Sequence, residues 1–112
     1  MRTTNRNKVY ILTNQKHTVV YVGVTSNLSQ RVHQHKTKYY KGFTSKYNVD
    51  KLVYFESFPH IMEAITREKQ IKKYRREKKD ALVNAVNPDW KELNPDLGID
   101  QLTSNVSAES ER

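Results

Sequence analysis

Two short apolar runs, KVYILT at 8–13 and TVVYVGV at 18–24, limit what this chain can become more than any other feature. Both are rich in Val, Ile, Tyr and Thr, residues that suit a pleated, half-buried surface. Four polar residues, Asn14 to His17, separate them. Runs spaced in this way pair as a β-hairpin with a four-residue loop. If that loop closes symmetrically, Thr13 faces Thr18 and Tyr10 lies directly opposite Tyr21, with Cβ atoms about 5 Å apart on one face. Gly23 then falls on the same face, and a glycine inside a strand often marks a close approach by another group. On these residues alone, a cross-strand aromatic pair in the core is the simpler reading of the two tyrosines.

The chain then supplies one more strand and three helices. KLVYF at 51–55 reads as the third strand. Ser26 or Asn27 can cap a helix through LSQRVHQHK. The stretch 37–50, basic, aromatic and polar around Gly42, reads as a loop. Pro59 can start a second helix, HIMEAITREKQIKKY. A third runs from Lys78 to Val86 and stops at NPDW, because the residue before Pro88 disfavours helix. The order ββαβαα predicts an α+β fold, a small three-stranded antiparallel sheet flanked by helices. The 112 residues suit one domain. Residues 1–95 are expected to form it, with 96–112 a disordered acidic tail.

Charge narrows the partners. The net charge is +8, unevenly spread. Residues 1–95 carry 19 Lys and Arg against 8 Asp and Glu, a net of +11, whereas 96–112 carry Arg112 against four acids, a net of −3. A basic body with an acidic tail points to a polyanion, most often nucleic acid. The chain has no cysteine, which excludes disulfides and thiolate metal sites. Its first residues, MRTTNRNK, are polar and unlike a secretory signal. No apolar run approaches the roughly 20 residues needed to cross a membrane. A cytoplasmic protein without membrane association is expected, and its oligomeric state is left open.

Two helices carry residues that a simple core does not ask for. Leu28, Arg31, Val32 and His35 share one face of the first, so Arg31 and His35 are neighbours one turn apart. Arg31 can snorkel outward along its stem or meet a bound anion with its bidentate fork. In the second helix, Ile61, Ala64, Ile65 and Ile71 mark an apolar stripe, and Glu68 falls in the middle of it. A buried Glu is rare unless paired or bound to metal. Glu68 can pair with Arg31, pair with Lys72 at i+4, or serve as a ligand for Mg²⁺, which often takes only one or two protein carboxylates. Lys69, Lys72, Lys73, Arg75 and Arg76 follow and can line a phosphate backbone. Lys46, in the aromatic stretch with Tyr39, Tyr40 and Tyr47, suits single strands or distorted ends.

Taken in order, these residues resemble the GIY-YIG nuclease superfamily in its small stand-alone bacterial form. Val9-Tyr10-Ile11 stands for the first element and Tyr21-Val22-Gly23 for the second. Asn27, Leu28, Arg31 and His35 match the helix motif, and REKQIKK at 67–73 with NPDW at 87–90 resembles the stand-alone group. The likeness spans roughly residues 7–93. It implies a metal-dependent endonuclease that cleaves DNA phosphodiesters, acting in repair or recombination on branched, nicked or single-stranded DNA. By the same resemblance, Tyr10 would be the general base, with His35 and Tyr21 orienting it or the attacking water. Arg31 would hold the scissile phosphate and Glu68 would anchor Mg²⁺ or Mn²⁺. A free phenol, with pKa about 10, is a poor base at neutral pH, but a nearby arginine and a metal ion favour the phenolate. Val9 replaces the usual glycine, and the family's final asparagine falls at Asn87, with Asn84 competing. The alternative, from a different class, is a non-catalytic nucleic-acid-binding module on a nuclease scaffold.

Overall fold

The computed structural model describes residues 6–39 and 42–95. The proposed acidic tail, 96–112, lies outside the described residues. β1 (Asn7–Thr13) and β2 (Val20–Thr25) form the hairpin, and β3 (Lys51–Phe58) completes an antiparallel sheet in the order β2-β1-β3. α1 (Leu28–Lys36) and a single turn, α2 (Phe43–Lys46), link β2 to β3. α3 (Ile61–Lys72) and α4 (Arg76–Val86) follow. The fold is α+β in the order ββαβαα, with α2 as an added turn inside the expected loop.

Alternation along the strands separates two cores. Val9, Ile11, Val22, Val53 and Tyr54 face one side, where Ala64 and Ile71 of α3, Val83 of α4 and Trp90 cover them. Tyr10, Leu12, Leu52 and Phe55 face the other, against Leu28 and Val32 of α1, Val49 and Leu93. Full burial of such side chains stabilises by about 1.5–3 kcal/mol each. The last described residues cross the β3 edge to join both cores: Leu93 N–H donates to Leu52 O at 2.8 Å, and Asn87 Nδ2 donates to Val53 O at 2.9 Å. Val53 is the extra residue of a bulge, since Ile11 pairs with Tyr54 and Leu12 with Leu52.

The hairpin register differs from the symmetric expectation. Tyr10 pairs with Gly23, and Leu12 with Tyr21. The cause is Asn14, whose Oδ1 accepts from Thr18 N–H at 2.8 Å and whose Nδ2 donates to Thr18 Oγ1. This side-chain turn, with His17 at φ 58°, ends the ladder at Thr13–Val20 and lengthens the loop. The shift is two residues, so Tyr10 and Tyr21 stay on one face as diagonal neighbours.

Other boundaries move as well. β3 runs on to Phe58, and α4 starts at Arg76 instead of Lys78. Ile61, 41% exposed, lies outside the buried stripe of α3, and Ile65 is half-buried. Asn27 is the cap of α1, accepting from Gln30 N–H at 3.1 Å. α3 is tied to β3 by Arg67, whose Nε and Nη2 donate to the two oxygens of Glu56 at 2.9 and 3.0 Å. Tyr54 donates to the same carboxylate, and burial and that acid push its phenol far above the usual range.

Candidate active site

The site begins with Tyr10. β1 is the central strand, so its side chains are covered on both faces, and Tyr10 is fully buried. A residue of this volume fits over the neighbouring strand because Gly23 lies opposite. A Cβ built on Gly23 would come within 2.4 Å of Tyr10 Cζ and Oη, closer than real Cβ contacts allow. The close approach expected at Gly23 is therefore by the phenol itself.

α1 brings the next group. Asn27 starts the helix, Leu28 and Val32 seat it on the sheet, and one further turn places His35 in the same interior. His35 Nε2 lies 3.5 Å from Tyr10 Oη, and its Nδ1 lies 3.1 Å from Thr44 Oγ1. The His35 ring stands 6.3 Å from that of Tyr10 and 5.6 Å from that of Tyr21, and the two tyrosine rings are 6.3 Å apart. Burial pushes the imidazole below its ordinary range, Arg31 pushes it further, and Asp50 opposes them. At neutral pH the ring is therefore uncharged, and one of its two nitrogens carries no proton. Arg31 is half-buried one turn before it, close enough for its charge to act on the ring.

Thr44 is the residue that sequence reasoning missed. It lies on α2, a turn of only four residues with no apolar periodicity. Gly42, at φ 122°, starts that turn, and the glycine was the one local signal available.

Glu68 is placed differently. Its side chain is only 12% exposed, and its partner among the described residues is Lys72, with Oε2 to Nζ at 2.7 Å. Of the three readings open from sequence, the i+4 pair is the contact formed. α3 packs on β1 and β2 through Ala64 and Ile71, on the sheet face opposite Tyr10. Among the described residues, no three His, Asp or Glu side chains gather as a ready metal cage. One mostly buried carboxylate held by a half-exposed lysine still suits Mg²⁺ or Mn²⁺, which draw most of their oxygen ligands from water and phosphate.

The basic residues divide into two kinds. Lys69 and Lys73 line an open hollow with Thr66, Gln70 and Tyr74, and Arg75 is exposed. Lys46 is exposed and stands 5.4 Å from the centre of the Tyr47 ring. Arg76 instead holds the hairpin, donating to His17 O at 2.6 Å, Thr18 O at 3.0 Å and Asp80 at 2.7 Å. Asn87 caps α4 and clasps Val53 and Lys91, while Asn84 accepts from the Trp90 indole. Both asparagines thus serve the C-terminal turn. Trp90 also stacks against His17 at 5.0 Å.

A family model described as the GIY-YIG catalytic domain matches residues 6–80. The UPF0213 protein CPE1444 of Clostridium perfringens (strain 13 / Type A) is 39% identical over 79 residues, covering 70% of this chain and 84% of that protein. The UPF0213 protein HQ_3675A of Haloquadratum walsbyi (strain DSM 16790 / HBSQ001) is 39% identical over 67 residues, 56% of this chain and 71% of that one. The solution NMR structure of the UPF0213 protein BH0048 from Bacillus halodurans overlays with a TM-score of 0.46 at 27% identity, covering 90% of this chain and 96% of the other.

Proposed function

Since this chain belongs to the GIY-YIG family, we propose that it is a metal-dependent endonuclease acting on DNA phosphodiesters. The observation that carries this reading is the line Thr44–His35–Tyr10, in which a buried phenol meets an imidazole that burial keeps neutral. Any buried tyrosine needs a partner for its hydroxyl, but a neutral imidazole held at its other nitrogen is a partner that can also take the phenol's proton.

Each residue has a distinct role in this reading. With Nδ1 engaged by Thr44, His35 presents Nε2 toward Tyr10 Oη and can accept its proton. The phenolate oxygen then takes a proton from the attacking water. Tyr21, against the His35 ring, walls the site on the β2 side. Arg31 meets the phosphate and offsets the charge that grows on its oxygens. Glu68 is the residue that would hold Mg²⁺ or Mn²⁺. A bound divalent ion supplies charge neutralisation at phosphorus and lowers the pKa of water. β2 is an edge strand, so a phosphate lying along that edge can be approached from both faces of the sheet. Lys46, Lys69, Lys73 and Arg75 provide backbone contacts. We place the activity in the cytoplasm, in repair or recombination, on DNA that is branched, nicked or single-stranded.

The Glu68–Lys72 pair favours a second reading, a binding module that does not cleave, because the carboxylate already has a cation beside it. Incubation with linear, nicked and branched DNAs in Mg²⁺ and in Mn²⁺ separates the two. Metal-dependent nicking that disappears in Tyr10→Phe, Arg31→Ala and Glu68→Gln is expected. Salt-sensitive binding with no product in either metal would leave only the binding module.

A further inference from the structure

α2 is bolted to the candidate site from within and carries aromatic side chains outside. Its buried Thr44 holds His35, while the residue before it, Phe43, is 50% exposed. Tyr47, the residue that ends the turn, is 43% exposed. The two rings touch, with centroids 5.0 Å apart and planes tilted by 52°. Lys46 sits between them in sequence, with its ammonium over the Tyr47 ring. Next along the chain, Asn48 Oδ1 accepts from Lys38 Nζ at 2.7 Å. Two large rings left half in water by a chain with a small core call for an occupant.

Charge selects that occupant. The Lys46 ammonium borders the rings, on a body of net charge +11 over residues 1–95. An unpaired nucleotide offers a flat π surface for the rings and a phosphate for the lysine beside them. A base inside duplex DNA keeps its π faces stacked on its neighbours and has none to offer. Taking the nuclease reading of the adjoining site as given, we propose that Phe43 and Tyr47 are a stacking platform for an unpaired base. The substrate is then single-stranded DNA, its base on the platform and its phosphate at Arg31, with α2 fixed to the site through the Thr44–His35 contact.

The test is filter binding, without metal, of an oligo(dT) strand and of a duplex of equal length. Wild type is compared with Phe43→Leu/Tyr47→Leu, which keeps bulk without rings, and with Phe43→Tyr/Tyr47→Phe, which keeps both rings. One stacked base is worth about 1–3 kcal/mol, so the leucine variant should lose at least about fivefold on oligo(dT). It should stay within about twofold on duplex, and the ring-swapped variant should match wild type. Equal losses on both DNAs, or no loss on either, overturn the platform. So does a wild-type dimer that the leucine variant dissolves in size-exclusion chromatography, because the rings would then serve a second copy of the chain. If ring-dependent strand binding appears and metal brings no cleavage, the platform stands and the nuclease reading falls.

Discussion

The phenol of Tyr10 occupies the space that a side chain at residue 23 would need, for a Cβ there would meet Cζ and Oη at 2.4 Å. The two positions face each other across the β1–β2 ladder. The strain of Gly23→Ala therefore falls on Tyr10 itself. Overpacking of this kind costs about 1–3 kcal/mol, to be read from urea unfolding. Tyr10→Leu, which removes the clashing atoms, should recover part of that loss in the double variant. Additive losses would show that the two positions do not compete.

Tyr10→Phe isolates the hydroxyl. The ring stays, so the chain should still fold, with a urea midpoint lowered only by the loss of the buried bond to His35. A lost proton-transfer group lowers rates by about 10²–10⁴, which single-turnover nicking measures. A change of less than tenfold would take the phenol out of the chemistry.

Both His35 and His17 are held below their ordinary pKa, chiefly by burial, with Arg31 adding to it at His35 against Asp50, and Lys51 and Arg76 adding to it at His17. A native histidine with a depressed pKa takes up its proton less readily than the unfolded chain does. Stability is then complete above the unfolded value of about 6.5 and falls as pH drops through it toward the lower native values. Unfolding midpoints should decline as pH falls below about 6.5, and His35→Gln with His17→Gln should flatten the decline. An identical slope in the double variant would assign the acid sensitivity to other groups.

Arg76 and the pair Lys69 and Lys73 should separate cleanly. Arg76 donates to His17 O and Thr18 O, so Arg76→Met should lower the unfolding midpoint. Lys69→Ala/Lys73→Ala should leave stability near wild type and reduce the salt slope of duplex binding by up to about two units. A slope unchanged by the lysine pair would mean that their hollow does not face the backbone.

Glu68 faces a choice between Lys72 and a cation. Lys72→Met removes the competitor, so half-maximal nicking should need less Mn²⁺ than in wild type, even as DNA binding weakens. Glu68→Gln should abolish the metal response over the same titration. If Lys72→Met leaves the Mn²⁺ requirement unchanged, the carboxylate is not the ligand.

Much of this was legible in the sequence, because strand and helix periods leave strong marks. Tyr10, Tyr21 and Gly23 read as one face of the hairpin, and they share that face in the structure. The motif helix put Arg31 and His35 one turn apart, as found. The register was hidden because it depends on Asn14, one side chain bonding to a turn whose length no pattern announces. Thr44 was hidden because a four-residue helix has no room for periodicity. Arg76 counted as one more cation until the fold carried it to the hairpin carbonyls. For Glu68, the helical stripe pointed to a mostly buried setting, as found, and to Lys72 at i+4 as one of its partners, which the structure pairs with it.

Trp90, the single tryptophan of the chain, packs its indole on the imidazole of His17 and donates to Asn84. An intrinsic fluorophore thus sits where the hairpin tip, the end of α4 and the closing segment meet. Its emission should change as soon as any of these three comes loose, and a charged imidazole against it should act as a quencher. The molecule carries its own optical gauge of whether hairpin and α4 are joined, with no label attached.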